Sequence, residues 1–165
     1  MSNLLFHWQR EIYQHDRLTG FEYHLNQNSP RMLEVEIGES VWAFTRRNDG
    51  AYVLSAHLVV DRKATNPSTF EYGRFRVIGN PNTTTYFDLE SQTDITPLIQ
   101  GIVQARANIL GRSFQGHSGV RAITSAGQSR LRDYAINLRV IDAGPYMPVE
   151  EPAVPSSNEL PVGPQ

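Results

Sequence analysis

The stretch from residue 39 to 78 constrains the fold most. It reads ESVWAFTRR, a turn NDG, then AYVLSAHLVV, a loop DRKATNPST, and FEYGRFRVI. The first two runs are rich in β-branched and aromatic residues. Between them, Asn48-Asp49-Gly50 supplies the residue types that tolerate the positive φ of a tight hairpin. The third run, Phe70 to Ile78, is a further strand candidate, reached through a loop holding Asn66-Pro67. Three strand candidates in succession predict a mostly antiparallel, curled sheet. Alternation places Val41, Ala43 and Thr45 on one face of the first strand, with Trp42 and Phe44 on the other. In the second strand, Tyr52, Leu54, Ala56, Leu58 and Val60 share a face, and Val53, Ser55, His57 and Val59 form a mixed one. Phe75 and Val77 are expected inward, which sends Arg74 and Arg76 outward.

The rest of the chain supplies an opening strand, helices and a tail. Leu4 to Trp8 reads as a short strand, with Leu4, Phe6 and Trp8 on one face. Residues 9–32 are polar and irregular, with room for a short helix near Gln9 to Tyr13. Leu33 to Ile37 alternates like an exposed edge strand, and Thr83 to Phe87 reads as extended. Asp94 is an N-cap candidate, and Pro97 falls in the first turn, where its missing N–H costs nothing. Apolar residues from Leu98 to Leu110 recur at helical spacing up to Gly111. A glycine-containing loop, 112–119, leads to a short strand, Val120 to Ile123. Ser125 is expected to cap a second helix running to about Asn137, with Leu138 to Ile141 extended. Residues 1–141 therefore read as one α+β domain, a small, mostly antiparallel β-barrel with flanking helices. Residues 142–165 hold six of the ten prolines and few large apolar side chains. They read as a proline-rich disordered linker or tail.

Composition narrows the function classes. All fifteen basic residues, fourteen of them Arg, lie in residues 1–141 beside thirteen acids, while the tail is purely acidic. A net charge of −2 thus hides a slightly basic domain. Arginine's planar fork suits phosphates, base edges and stacking. The absence of cysteine excludes disulfides and thiolate metal sites and fits a cytoplasmic protein. No apolar run is long enough for a membrane span, and the N-terminus lacks a signal-peptide pattern. The five histidines have no zinc-site spacing, and neither a phosphate loop nor a nucleophile elbow is present. No catalytic residues, metal ligands or cofactor are expected from the chain, and Asp61, Glu71 and Asp88 read as solvated loop charges.

Aromatics interleaved with arginines carry the stronger signal. Trp42 and Phe44 precede Arg46-Arg47, Tyr72 precedes Arg74, Phe75 precedes Arg76, and Phe114 follows Arg112. Rings stack on bases and arginines neutralise phosphates. The same rings also suit a core, and both uses are open for Trp42, Tyr72 and Phe114.

The order of elements resembles the EVE and YTH branch of the PUA-like superfamily, small β-barrels that read modified bases. NLLFHW is similar to their first strand, and ESVWAFT to the segment that carries a cage tryptophan. GAYVLSAHLVV resembles their central strand and YGRFRV a later one. RSFQGHSGVRAITSAGQSRLRDYA is similar to the closing EVE segment. The likeness spans roughly residues 3–137. It departs where a second cage tryptophan would fall, at 61–73, which offers only Phe70 or Tyr72, and in the loop at Phe114 to Ser118. The whole also resembles the N-terminal specificity region of modification-dependent restriction proteins, in which an EVE-like reader precedes an HNH nuclease, with the tail as linker.

The resemblance implies a non-enzymatic reader that flips a modified base, a cytosine derivative in DNA before RNA, into an aromatic pocket and directs a nuclease domain absent from these residues. Pocket residues would be His7, Trp8, Trp42, Tyr72, Phe114, Gln115, His117 and Ser118. Phosphate contacts would fall to Arg46, Arg47, Arg74, Arg76 and Arg112. The alternatives are a protein-interaction module working through its proline-rich tail, and a PUA-like RNA-binding domain.

Overall fold

The computed structural model of the chain describes residues 3–19, 23–71, 73–103, 114, 119–142 and 154–155. Its centre is the expected hairpin. Strand β3 (Ser40–Arg46) pairs antiparallel with β4 (Tyr52–Thr65), from Arg46 opposite Tyr52 to Ser40 opposite Val59. The turn closes through Gly50, whose φ is 93° and whose N–H donates to the Arg47 carbonyl at 2.9 Å. Strand β1 (Asn3–His7) lies parallel to β3 on one side and antiparallel to β7 (Val120–Ile123) on the other. Strand β5 (Phe75–Gly79) pairs with the second half of β4 and with β2 (His24–Gln27). The main order is β2-β5-β4-β3-β1-β7, with β6 (Thr85–Phe87) on β4 and β8 (Val140–Ile141) on β6. The result is a curled mixed sheet forming a half-barrel, with β2 and β7 as the ends of the path.

Both faces of the sheet are covered. Leu4, Phe6, Trp8, Val41, Ala43, Ala56 and Leu58 form one core, completed by Tyr13 of helix α1 (Arg10–Thr19). Leu5, Trp42, Phe44 and Leu54 form the other, under Ile99 of helix α2 (Thr96–Val103) and Leu131 of helix α3 (Ser125–Ala135). Strict alternation in β1 and β3 thus feeds two cores at once. Each buried large side chain contributes about 1.5–3 kcal/mol. Among the described residues, no helix is long and apolar enough to cross a membrane.

Several expectations are corrected. Leu33 to Ile37 does not form an edge strand. Pro30 to Glu34 is a 3-10 helix, started by Pro30 and by the Ser29 side chain, which accepts from the Arg31 N–H. Met32 and Val35, three residues apart, are fully buried, so the apparent alternation serves a helical turn. This helix bridges the open side of the half-barrel. Arg31 donates to the Val120 carbonyl at 3.2 Å, and Lys63 donates to the carbonyls of Leu33 and Val35. Strand β4 continues through the expected loop to Thr65, and β2 arises within the stretch read as irregular. Helix α3 is capped by Thr124, whose hydroxyl accepts from the Gly127 N–H at 3.0 Å, and not by Ser125. Arg76 points inward and is 2% exposed. Its Nε donates to Asn26 Oδ1, and its guanidinium lies over Phe70. Within the tail, Val154–Pro155 forms a two-residue strand, β9, on the edge of β4.

The loop from 66 to 74 presses against β2. Gly73 has φ 131°, and a Cβ there would sit 2.7 Å from the Gln27 carbonyl carbon. Gly73→Ala is therefore expected to cost about 1–3 kcal/mol, through strain and displacement of β2. A urea melt showing no loss would mean that the loop shifts freely.

Candidate functional site

Strand β1 outruns β7. Their ladder covers Asn3 to Phe6, and the chain then continues through His7, Trp8 and Gln9 with no β7 residue opposite. On the far side of the gap stands the end of β2. The gap is a cleft of about 320 Å³, within the usual size range of small-ligand sites. Phe6, Trp8, Ile12 and Phe114 give it apolar walls. His7, Gln9, Asp16, Asn26, Gln27, Asn28 and Glu71 ring it with polar groups. Gly119 completes the wall, and a Cβ there would lie 2.6 Å from the Gln27 amide nitrogen. One amide side chain thus packs on a bare backbone across the seam, beside the Arg31 bridge to Val120.

The polar groups are held in place. The Trp8 indole N–H donates to Asp16 Oδ2 at 3.1 Å, and Asp16 is only 7% exposed. Tyr13 sets its ring edge-on against Trp8, with centroids 5.0 Å apart. His7 stacks on Phe44 at 5.0 Å and meets Phe114 edge-on at 6.4 Å. Burial pushes its imidazole down to about 4, and Arg46 adds to this, against a hydrogen bond to the Phe114 backbone that favours the charged form. His7 is therefore neutral at pH 7; its one N–H serves the Phe114 backbone and the other nitrogen is left as an acceptor.

Two acids and neither Arg nor Lys are among the described residues lining the cleft, and the arginines nearest to it in the chain are engaged elsewhere. Arg10 follows Gln9 and donates to the Arg47 carbonyl. Arg74 donates its backbone N–H to Asn28 Oδ1 at 3.1 Å. Arg31 reaches the Val120 carbonyl next to Gly119, and the Arg121 guanidinium lies 4.7 Å from the centre of the Phe114 ring.

Of the expected pocket residues, His7, Trp8 and Phe114 come together here. Tyr72, Gln115, His117 and Ser118 lie outside the described residues, as does Arg112. Trp42 lies elsewhere, in the core under α2 and α3, and is 2% exposed. Of the arginines expected at phosphates, Arg47 is spent on the fold, donating to the carbonyls of Leu89 and Gln92 and to Asp49. Arg46 lies over Tyr52 and donates to the Gly50 carbonyl, and Arg76 is buried. Arg74 touches the lining through its backbone N–H on Asn28, but its guanidinium donates to the Asn66 carbonyl at 2.9 Å. Asp16 and the run Asn26-Gln27-Asn28 were not anticipated. The one signal for them was three consecutive amides directly ahead of the Ser29-Pro30 helix start.

Trp42 belongs to a second polar cluster. Its ring stacks on His57 at 4.0 Å, and its indole N–H donates to Gln128 Oε1 at 2.6 Å. That orients the Gln128 amide nitrogen toward Ser40 Oγ, which lies 2.6 Å from His57 Nε2. Burial, with Arg132 adding to it, pushes His57 down to about 4. A neutral His57 accepts the Ser40 proton, and the circuit closes. Ser40 and His57 touch as a nucleophile and base would, and Ser40 is buried at 4% exposure.

No protein-family model and no curated protein matches the chain.

Trp42→Ala is expected to cost about 3–5 kcal/mol of stability, as for a fully packed core ring. A loss under about 1 kcal/mol in a denaturant melt would remove Trp42 from the core. Acid should also weaken the fold. His7 and His57 fold with pKa values near 4 against 6.5 when unfolded, so the unfolded chain binds more protons between those values. Their contribution is complete above pH 6.5 and is lost as pH falls toward 4. The urea midpoint should be lower at pH 5 than at pH 7.5, and His57→Gln should reduce that difference.

Proposed function

We propose that the protein is a nucleic-acid reader that takes a flipped base, a modified cytosine in DNA, into the cleft between β1, β2 and Phe114. The observation that carries this is the cleft itself. It is of a size for a nucleobase, its walls are aromatic, and its polar ring is made of amides, two carboxylates and a neutral histidine. Carboxylates only accept, and the amides can turn to accept as well. Cytosine presents an N4 amino donor where thymine presents a keto oxygen. An acceptor-rich lining therefore favours the amino-bearing base. Extrusion costs a few kcal/mol, which apolar contact with the cleft walls and edge hydrogen bonds would offset. The resemblance to EVE and YTH readers agrees in the order of elements. The nuclease it implies would lie outside these residues.

The test is a panel of matched short duplexes carrying 5-methylcytosine, 5-hydroxymethylcytosine, cytosine or thymine at one site, with RNA counterparts. At least one modified cytosine should bind about tenfold better than thymine, the scale of a hydrogen bond to a charged group. Glu71→Ala, at an exposed carboxylate of the lining, should remove about 1.5–3 kcal/mol of that binding and leave the weak binding of plain DNA unchanged. Equal affinity across the DNA series would sink the reader, and stronger binding to the RNA series would transfer the cleft to RNA.

A further inference from the structure

Three consecutive amides line the cleft, Asn26 and Gln27 at the end of β2 and Asn28 just after it. The fold already uses their oxygens. Asn26 Oδ1 accepts from Asn66 Nδ2 at 2.9 Å and from Arg76 Nε at 3.1 Å, which fills both of its lone pairs. Arg76 and Asn66 are themselves buried, at 2% and 1% exposure, so this end is held from inside the core. Gln27 Oε1 accepts from the Asn28 N–H at 2.8 Å, and Asn28 Oδ1 accepts from the Arg74 N–H at 3.1 Å. Turning any of these amides over to accept would give up such a bond and set its NH2 group against an N–H. Each amide therefore stands in one orientation, and its nitrogen is the end left for a ligand. None of the three nitrogens donates to a described residue.

The acceptors of the lining belong to other residues. The Glu71 carboxylate is exposed and bonds to no described residue, and His7 keeps one ring nitrogen as an acceptor. The cleft thus joins a row of fixed donors to separate acceptors. A flipped base is read by its Watson–Crick edge. Among the four DNA bases, cytosine alone presents there one donor, the N4 amino group, beside two acceptors, N3 and O2. Thymine carries an N–H at position 3, and guanine has two donors and one acceptor.

We infer that the amide nitrogens of Asn26, Gln27 and Asn28 are the specificity wall of the cleft, donating to N3 and O2 of cytosine while the acceptors of the lining take its N4 amino group. This rests on the reader function proposed above. The 5-substituent lies off this edge. The amides therefore select cytosine over the other bases and leave its modification to the apolar walls.

The probe is a short duplex with the target base opposite an abasic site, so that pairing strength does not enter the cost of extrusion. The target is 5-methylcytosine, its 3-deaza analogue, in which C–H replaces N3, or thymine. The wild type should bind the 3-deaza base about tenfold more weakly than 5-methylcytosine, the scale of a donor left without its partner. Asn26→Asp, Gln27→Glu and Asn28→Asp each keep the oxygen that the fold uses and remove the NH2 donors. The added charge weakens binding to any DNA, but it acts on both targets alike and cancels in a double-mutant cycle. In at least one variant the difference between the two targets should shrink to within about twofold, the limit of additivity. The wild-type comparison needs no variant, so it holds even where a substitution unfolds β2. A wild type that binds both targets equally overturns the wall, as do folded variants that all keep the difference. If either occurs while 5-methylcytosine still outbinds thymine, the reader stands and the wall falls. If no target is preferred to another, the reader falls and the wall with it.

Discussion

Between Val60 and Arg62 the ladder of β4 with β5 carries a register shift, just past Val59, where the ladder with β3 ends. The first half of β4 lies between β3 and β6, and its last residues lie between β5 and β9. A bulge adds local twist and bends the strand. One continuous strand with a bend in it turns two flat ladders into a curl. The curl carries β2 around toward β1 and β7, where no ladder closes it. The 3-10 helix and the side chains of Arg31 and Lys63 fill the remaining opening. The cleft is what they leave uncovered, so its position follows from the bend in β4 as much as from its own residues.

Where strands stop short, polar side chains take over the ladder. Gln92 accepts from the Leu54 N–H at 2.8 Å and donates to the Leu54 carbonyl at 2.7 Å, as a neighbouring strand would. Asn66 joins Asn26 and the Gly73 carbonyl near the end of β4. Arg47 gathers two carbonyls and a carboxylate across the hairpin turn. A buried backbone group left without a partner costs about 1–3 kcal/mol, so each of these side chains substitutes for missing backbone. This explains why so many of the arginines are unavailable to a ligand. Their forks suit carbonyls of this fold as well as phosphates.

The β3–β4 hairpin, the opening strand and the α2 and α3 helices were legible in the sequence because local chemistry decides them. Asn48-Asp49-Gly50, Asp94-Pro97 and the alternation of β1 and β3 act within a few residues, whereas the single face expected for Tyr52, Leu54, Ala56, Leu58 and Val60 is split between the two cores by the register shift opposite Ala43 and Phe44. Strand β2, the 3-10 helix and the last third of β4 were not. His24 to Gln27 has little strand preference and is extended because β5 lies beside it. Arg76 looked like surface because charge usually is. The approach of Asn26 and Phe70 from distant segments provides it with partners inside. The cleft was half legible. His7, Trp8 and Phe114 were identified as aromatic or hydrogen-bonding candidates, but Trp42 carried the same pattern and lies under two helices. Which of two strand tryptophans meets a cleft is settled by where the sheet fails to close, and no single stretch encodes that.

The seam between β2 and β7 has a consequence for how the molecule breathes. Elsewhere the sheet is tied by cooperative backbone ladders, and opening any of them disrupts both cores. Across the seam no backbone ladder runs, and the ties are Gln27 on Gly119, Arg31 on Val120 and the 3-10 helix, whose Met32 and Val35 share one core with Val120. Local openings select places where little apolar surface is exposed and few hydrogen bonds break. Parting the seam means drawing Met32 and Val35 out of that core, so the wall of the cleft is only as firm as the seating of one five-residue helix.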